Sequence, residues 1–297
     1  MRTFFRTLLP LSLAAGALCS CDSLNNAVKS AAVDKGWVTQ SQADGIQKSA
    51  VALRKSAADI SESEEYFLGR SVSAQILGQY KPLADPRLNL YVRVLGQAMS
   101  MVGDRPATFV GYRFQVLDSA EPNAFAAPGG FIFVTKGLID QTKSEDELAG
   151  VLAHEIAHVS LKHGLKTIRA ARLTSAFSIL AGEAAKSYTG DQLGKVTEAF
   201  EGSIDDVMGA LVVNGYSRDK EYEADRLGAE YARRAGYDPR GLARVIARLK
   251  DAGGAGLMKT HPHPEFRLEK LKGVRTPAEY KPSPRRDARF KRSTASA

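Results

Sequence analysis

Apolar and polar positions repeat with a helical period in three stretches of the chain. After Ser144 and the acidic run Glu145-Asp146-Glu147, apolar residues fall at Leu148, Val151, Leu152, Ile156 and Val159, a spacing that keeps them on one helix face. Ser144 with Glu147 reads as a capping box, the acidic first turn suits the helix dipole, and Gly164 reads as a stop. The spacing predicts a helix of about twenty residues. A second helix is predicted after Asp238-Pro239, an N-cap followed by an N1 proline, with Leu242, Val245, Ile246 and Leu249 inward and Arg244 and Arg248 outward. In the third stretch, Ile168 to Ala185, Leu173, Phe177 and Leu180 share a face. It fits a mobile helical cover over a cleft, a membrane-contacting helix or ordinary core packing. Residues 123–135 differ in kind. Pro128-Gly129-Gly130 interrupts two apolar stretches, and Phe131 to Val134 is aromatic and β-branched, the signature of a hairpin.

The two ends have patterns of their own. Arg2 and Arg6 precede a short apolar run from Thr7 to Leu18, too short to span a bilayer and typical of a leader peptide. Ala15-Gly16-Ala17 fits an ordinary cleavage site. Leu18-Cys19-Ser20-Cys21 resembles a bacterial lipobox with Cys21 as the lipidated first residue, and that reading is preferred. The chain has 2 cysteines, so on this reading no disulfide forms, and several acyl chains would hold the protein to a membrane. Residues 1–20 are therefore expected to be a signal peptide and 21–60 a partly helical tether. Residues 61–278 are long enough for one well-buried domain, and no internal repeat is visible. The segment 279–297, with Arg285, Arg286, Arg289, Lys291 and Arg292, reads as a basic disordered tail.

Charge changes this picture little. The formal net charge is +8. Two of these charges lie in the leader and a net five in residues 281–297, which leaves the body near neutral. A nucleic-acid partner is not expected.

The chemistry is concentrated in the histidines. There are five, and they form two groups, His154, His158 and His163, then His261 and His263. His154-Glu155-Ile156-Ala157-His158 is an HExxH motif inside the predicted helix, the context that such a motif needs. Residues four apart share a helix face, so both imidazoles can meet one ion. With a third ligand, zinc keeps one position for a water whose pKa falls to about 7, and Glu155 can move its proton. Leu161 stands where the metzincin pattern needs glycine, and His163 comes one residue too early for that pattern's third histidine. His163 is read instead as a helix-end residue serving the last carbonyls. The candidate third ligand is Glu221, with Asp225 four residues on to accept the outer N–H of a ligand histidine. Glu223 is read as a solvated charge. Thr260-His261-Pro262-His263-Pro264 is a proline-stiffened loop leading to Arg267.

Four segments resemble metallopeptidase family forty-eight, the HtpX/CAAX-protease-like gluzincins, and most of all its periplasmic BepA-like and LoiP-like members. They are Glu64 to Gly69, Asp85 to Val92, Asn123 to Val134, and Tyr216-Ser217-Arg218 leading into Glu221 and Asp225. The resemblance implies a mainly helical α+β domain of zincin type, with a small β-sheet or hairpin beside the HExxH helix. It implies one zinc ion on His154, His158 and Glu221, Glu155 as catalytic base, and Asp225 behind a ligand. It maps His261 onto a histidine that either occupies the open zinc position or donates to the oxyanion, a role open to Arg267 as well. Asn123, Ala124, Phe125 and Ala126 would bind substrate as an added strand.

The function implied is a zinc-dependent endopeptidase of the bacterial cell envelope, degrading misfolded or stalled envelope and outer-membrane proteins. Cys21 would anchor it in the periplasm. Asp22 would direct it to the inner membrane where the enteric rule applies, and otherwise the outer membrane is expected. A zinc-containing chaperone or assembly factor that rarely cuts is the rival, and the intact Glu155 argues against it.

Overall fold

The computed structural model describes residues 61–167, 208–251 and 256–295, with residues 33–34 and 39–40. The leader, Cys21, nearly all of the expected tether and the stretch 168–185 lie outside the described residues. Among those described, no helix is long and apolar enough to cross a membrane. Residues 60–167 and 207–297 belong to one compact unit.

Helix α1 (Glu62–Gln79) leads to α2 (Pro86–Met101). Asp85 caps α2 by accepting from the Leu88 amide at 2.9 Å, and Pro86 fixes its first turn. Three strands follow, β1 (Arg113–Leu117), β2 (Ala124–Ala127) and β3 (Phe131–Thr135). Their order is β1-β3-β2, with β3 parallel to β1 and antiparallel to β2. The expected hairpin is β2–β3, and its tip is the Pro128–Gly130 turn, where Gly129 has φ 75° and Gly130 φ 93°. Buried Glu65 holds that tip by accepting from the Gly129 amide at 3.0 Å while Arg105 grips its carboxylate with two 2.8 Å bonds. After α3 (Lys136–Gln141) and the central helix α4 (Glu145–Ser160), a π-helical turn (Gly209–Asn214) precedes α5 (Arg218–Arg234). The chain closes with α6 (Gly241–Asp251), the single turn α7 (Leu257–Thr260), α8 (Pro264–Leu271) and α9 (Pro284–Thr294). This is the mainly helical α+β architecture that the sequence implied.

The core forms around α4, which is buried on all sides, not along one stripe. It packs on α2, α5, α6 and β2. Two glycines let the backbones meet. A Cβ at Gly228 of α5 would stand 2.9 Å from the His154 amide nitrogen and 3.0 Å from its Cα. One at Gly150 would stand 2.6 Å from the Leu242 amide nitrogen. At these distances no side chain fits, so α4 touches α5 and α6 main chain to main chain.

Four local expectations need correction. Helix α4 ends before Gly164, because Lys162 itself takes the left-handed turn, with φ 54°, and residues 163–167 are helical again. The capping box is only half present. Ser144 accepts from the Glu147 amide at 3.3 Å, but Glu147 reaches the Lys143 amide at 2.8 Å. Arg248 and Arg244 do not merely face solvent, since both bond the Glu147 carboxylate. Finally, the basic segment expected to be disordered forms α9 from residue 284 to 294. Ser283 caps it, Phe290 is buried in the core, and Arg289 makes two bonds to the buried Glu145 carboxylate. An apolar anchor and a specific ion pair outweigh the disordering bias of its charge density.

Candidate metal centre

His154 and His158 project from the same face of α4 toward Glu221 of α5 and His261, which ends α7. The four side chains offer one donor atom each, all within 4.8 Å of one another. The two Nε2 atoms are 3.0 Å apart. Glu221 carboxylate oxygens lie 3.5 Å from His158 Nε2 and 3.6 Å from His154 Nε2. His261 Nδ1 stands 3.3 Å from His154 Nε2 and 3.1 Å from Glu221 Oε1. Ligand bonds of about 2.0–2.1 Å in a tetrahedron put neighbouring donors about 3.3–3.4 Å apart. The five separations given, 3.0–3.6 Å, lie near that spacing, and all four donors fall within 4.8 Å of one another, so the cluster could hold a metal ion.

The charges fit as well. Glu155, Glu221 and Asp225 are all buried, and Arg267 is the buried cation among them. Three carboxylates against the Arg267 guanidinium and the His261 imidazole, whose pKa Glu221 and Glu155 raise despite its burial, leave the buried cluster net negative, a setting that suits a bound cation. Burial alone would raise the Glu221 carboxyl, but positive charge on His261 and Arg267 outweighs it and holds the group below the ordinary range. Burial, together with the neighbouring histidines, pushes His158 well below its usual value and keeps it the neutral ligand that a metal requires.

Behind each ligand histidine stands a second group. His154 Nδ1 lies 3.0 Å from Asp225 Oδ1, though off the straight hydrogen-bond line. Asp225 is itself fixed by Arg267, whose Nε and Nη2 donate to its two oxygens at 2.8 and 2.6 Å. The remaining Arg267 nitrogen, Nη1, lies 3.0 Å from Glu221 Oε2 and donates to the His261 carbonyl at 3.2 Å. Every guanidinium nitrogen is engaged in this way, so Arg267 orients the buried carboxylates. Against a large desolvation penalty, this guanidinium holds the Asp225 carboxyl well below the usual carboxylate range.

On the other ligand, His158 Nδ1 is 2.9 Å from His163 Nδ1, and His163 Nε2 is 3.2 Å from Glu223 Oε2. Neither residue has the place read from the sequence. His163 is fully buried and does not serve the last carbonyls of α4, because the left-handed turn at Lys162 folds it back beneath His158. Burial brings its pKa down to about 4, despite the opposing Glu223. Tyr216 was also missed. Its ring stacks on His158, centroids 4.3 Å apart and planes at 16°, with a buried hydroxyl that has no partner. The available signal was economy of histidine, since among the described residues only His263 stands apart, exposed at the start of α8.

Glu155 lies beside the cluster at 1% exposure. Neither of its carboxylate oxygens has a hydrogen-bond partner, and His261 Nε2 is 3.6 Å away. Burial lifts the carboxyl above its ordinary range, while His261 and His154 oppose the shift. An orphaned, desolvated carboxyl beside a metal cradle is suited to carrying a proton. Strand β2 lies at the sheet edge, and Ala124, Phe125 and Ala126 are buried there. The adjoining Asn123 accepts from Thr260 Oγ1 at 2.8 Å, and the Leu257 amide donates to the Pro122 carbonyl at 2.7 Å. The segment carrying His261 is thereby fastened to the approach of the edge strand.

A paired-histidine helix, a carboxylate from a second helix and a small mixed sheet beside them define a zincin-type metallopeptidase domain. Residues 86–275 match the profile described as Peptidase family M48, and the chain belongs to this family. It is 27% identical over 247 residues to the beta-barrel assembly-enhancing protease of Escherichia coli (strain K12), a match covering 80% of this chain and 49% of that protein. It is 29% identical over 230 residues to the mitochondrial metalloendopeptidase OMA1 of Schizosaccharomyces pombe, covering 74% and 64%. With a protease HtpX homolog of Desulfatibacillum aliphaticivorans it shares 30% over 244 residues, covering 65% and 75%. The chain spans about half the length of the beta-barrel assembly-enhancing protease that it matches.

Proposed function

We propose that the chain is a zinc-dependent endopeptidase of the bacterial cell envelope that acts on unfolded or misassembled envelope proteins, including those of the outer membrane. The observation that carries this reading is the convergence of four donor atoms beside the unpartnered carboxylate of Glu155. A donor set of imidazoles and a carboxylate suits zinc. When bound, the ion supplies Lewis acidity toward a peptide carbonyl and toward water.

The protein's own groups do the rest. His154, His158 and Glu221 hold the ion, and Asp225 with Arg267 fixes the ring of His154. Glu155 takes a proton from the attacking water and passes it to the amide nitrogen as the C–N bond breaks. Were neutral His261 to offer Nδ1, which lies 3.3 Å from His154 Nε2 and 3.1 Å from Glu221 Oε1, as a fourth donor, the site would be closed and His261 would have to withdraw for substrate. A peptide adding along the edge of β2, at Asn123 to Ala126, would pull on the Asn123–Thr260 bond next to His261. Substrate entry would therefore also open the site.

Placement in the envelope rests on the lipobox-like Leu18-Cys19-Ser20-Cys21, with Cys21 carrying the lipid, and on the name of the Escherichia coli relative. The same His261 contact supports a second reading, a client-holding assembly factor that remains closed and seldom cuts. Glu155→Gln separates the two. The variant is expected to keep one zinc per chain and lose cleavage of an unfolded protein such as casein. Cleavage at the wild-type rate by the purified, metal-loaded variant would end the peptidase mechanism. Full rescue of an envelope defect by that variant would favour the assembly factor.

A further inference from the structure

His158 is backed by a chain of groups that the hydrolytic reading does not use. We propose that His163 and Glu223 form a positioning relay that fixes the tautomer and ring orientation of His158 and strengthens it as a metal ligand. This inference rests on the zinc reading above.

Ligation through His158 Nε2 would set every proton in the relay. To ligate through Nε2, His158 must carry its proton on Nδ1, and that atom lies 2.9 Å from His163 Nδ1. His163 Nδ1 must then accept, so its own proton sits on Nε2, 3.2 Å from the Glu223 carboxylate. Carboxylate, imidazole and imidazole thus align toward the ion, the arrangement by which outer partners raise the basicity of a ligand. The His154 side is shorter, with Asp225 reaching the ring directly at 3.0 Å. Each ligand histidine therefore ends on a carboxylate of α5. On the His158 side an extra imidazole spans the gap.

Three features distinguish this relay from ordinary packing. His163 is fully buried, yet both of its ring nitrogens face polar partners, whereas a space-filling residue would need neither. Its position depends on a left-handed non-glycine residue, Lys162, whose conformation is uncommon without a compensating contact. The outer end of the chain reaches solvent, because the Glu223 side chain is half exposed while His163 is not. Glu223 can therefore be altered without opening the core.

The test is zinc affinity, measured by competition with a chromophoric chelator on the full-length apo protein, together with the apo unfolding midpoint. The proteins compared are wild type, Glu223→Ala, Glu223→Gln and His163→Phe. The relay predicts that His163→Phe loses about 10–100-fold in affinity. Glu223→Ala should lose about threefold or more with no change in its apo midpoint, and Glu223→Gln, which keeps an acceptor but not the charge, should lose less. Wild-type affinity in Glu223→Ala overturns the relay, even if His163→Phe is weak, because the carboxylate end would then be idle. Should His163→Phe fail to fold, the two Glu223 variants decide the matter. Absence of zinc binding by the wild type would instead remove the zinc reading beneath the relay.

Discussion

Replacing Arg267 with methionine should destabilise the protein before any metal is considered. The guanidinium is 1% exposed and is shared by two carboxylates that are fully buried, bonding Asp225 at 2.8 and 2.6 Å and lying 3.0 Å from Glu221. Removing one partner of a buried pair leaves an uncompensated charge and costs about 3–5 kcal/mol. A domain of this size moves its midpoint by about 2–4 °C per kcal/mol, so the apo melting temperature should fall by about 6–20 °C. Arg267→Lys, which keeps the charge but loses the two-pronged geometry, should fall between the two. The assay is urea and thermal unfolding followed by far-UV circular dichroism, with a chelator present so that metal binding contributes nothing. If Arg267→Met unfolds within about 1 kcal/mol of wild type, the cost of the unpaired charge has been misjudged. The two carboxylates would then have to relax or protonate at little cost.

Two further outcomes follow from the packing and the charges. Gly228→Ala places a methyl 2.9 Å from the His154 nitrogen. Overpacking of about 1–3 kcal/mol is partly offset by about 1 kcal/mol of helix propensity, so zinc affinity, measured by chelator competition, is the sharper readout and should weaken. Unchanged affinity and stability would show that α4 and α5 do not bear on each other there. The second outcome concerns Glu145, whose carboxyl is raised by burial but lowered overall by bonds from Arg289, Tyr237 and Tyr91. A depressed folded-state pKa adds stability that is full above the unfolded value of about 4.3 and is lost as pH falls through the folded value. The stability gap between wild type and Glu145→Gln in urea unfolding should therefore stay constant from neutral pH to about 5 and shrink toward pH 3. A gap that widens on acidification would reverse the assignment.

Much of the fold was legible because local signals and burial agree. Leu242, Val245, Ile246 and Leu249 all point inward, the break at Pro128-Gly129-Gly130 is the hairpin tip, and Ser144 caps α4. The cluster of His154, His158, Glu221 and His261 could be read from helical spacing and family resemblance together. What escaped depends on long-range contact. The helix stop was sought at a glycine, but the left-handed turn is taken by Lys162, one residue before His163, whose ring then meets His158. Glu223 was read as solvated from its helical phase, yet a half-exposed carboxylate can still reach a buried imidazole. The C-terminal stretch was judged by its charge, and neither the pocket for Phe290 nor the partner of Arg289 can be seen from composition.

Gly228, where α5 meets α4 through bare backbone, sets the gauge of the metal cradle. The bite between the paired imidazoles and Glu221 is fixed there by the thickness of two peptide chains, not by the volumes of neighbouring apolar groups. Substitutions elsewhere in the interior can thus erode folding free energy while the coordination distances hold. A chain built this way should tolerate extensive rewriting of its interior and lose foldedness before it loses the shape of its ion site.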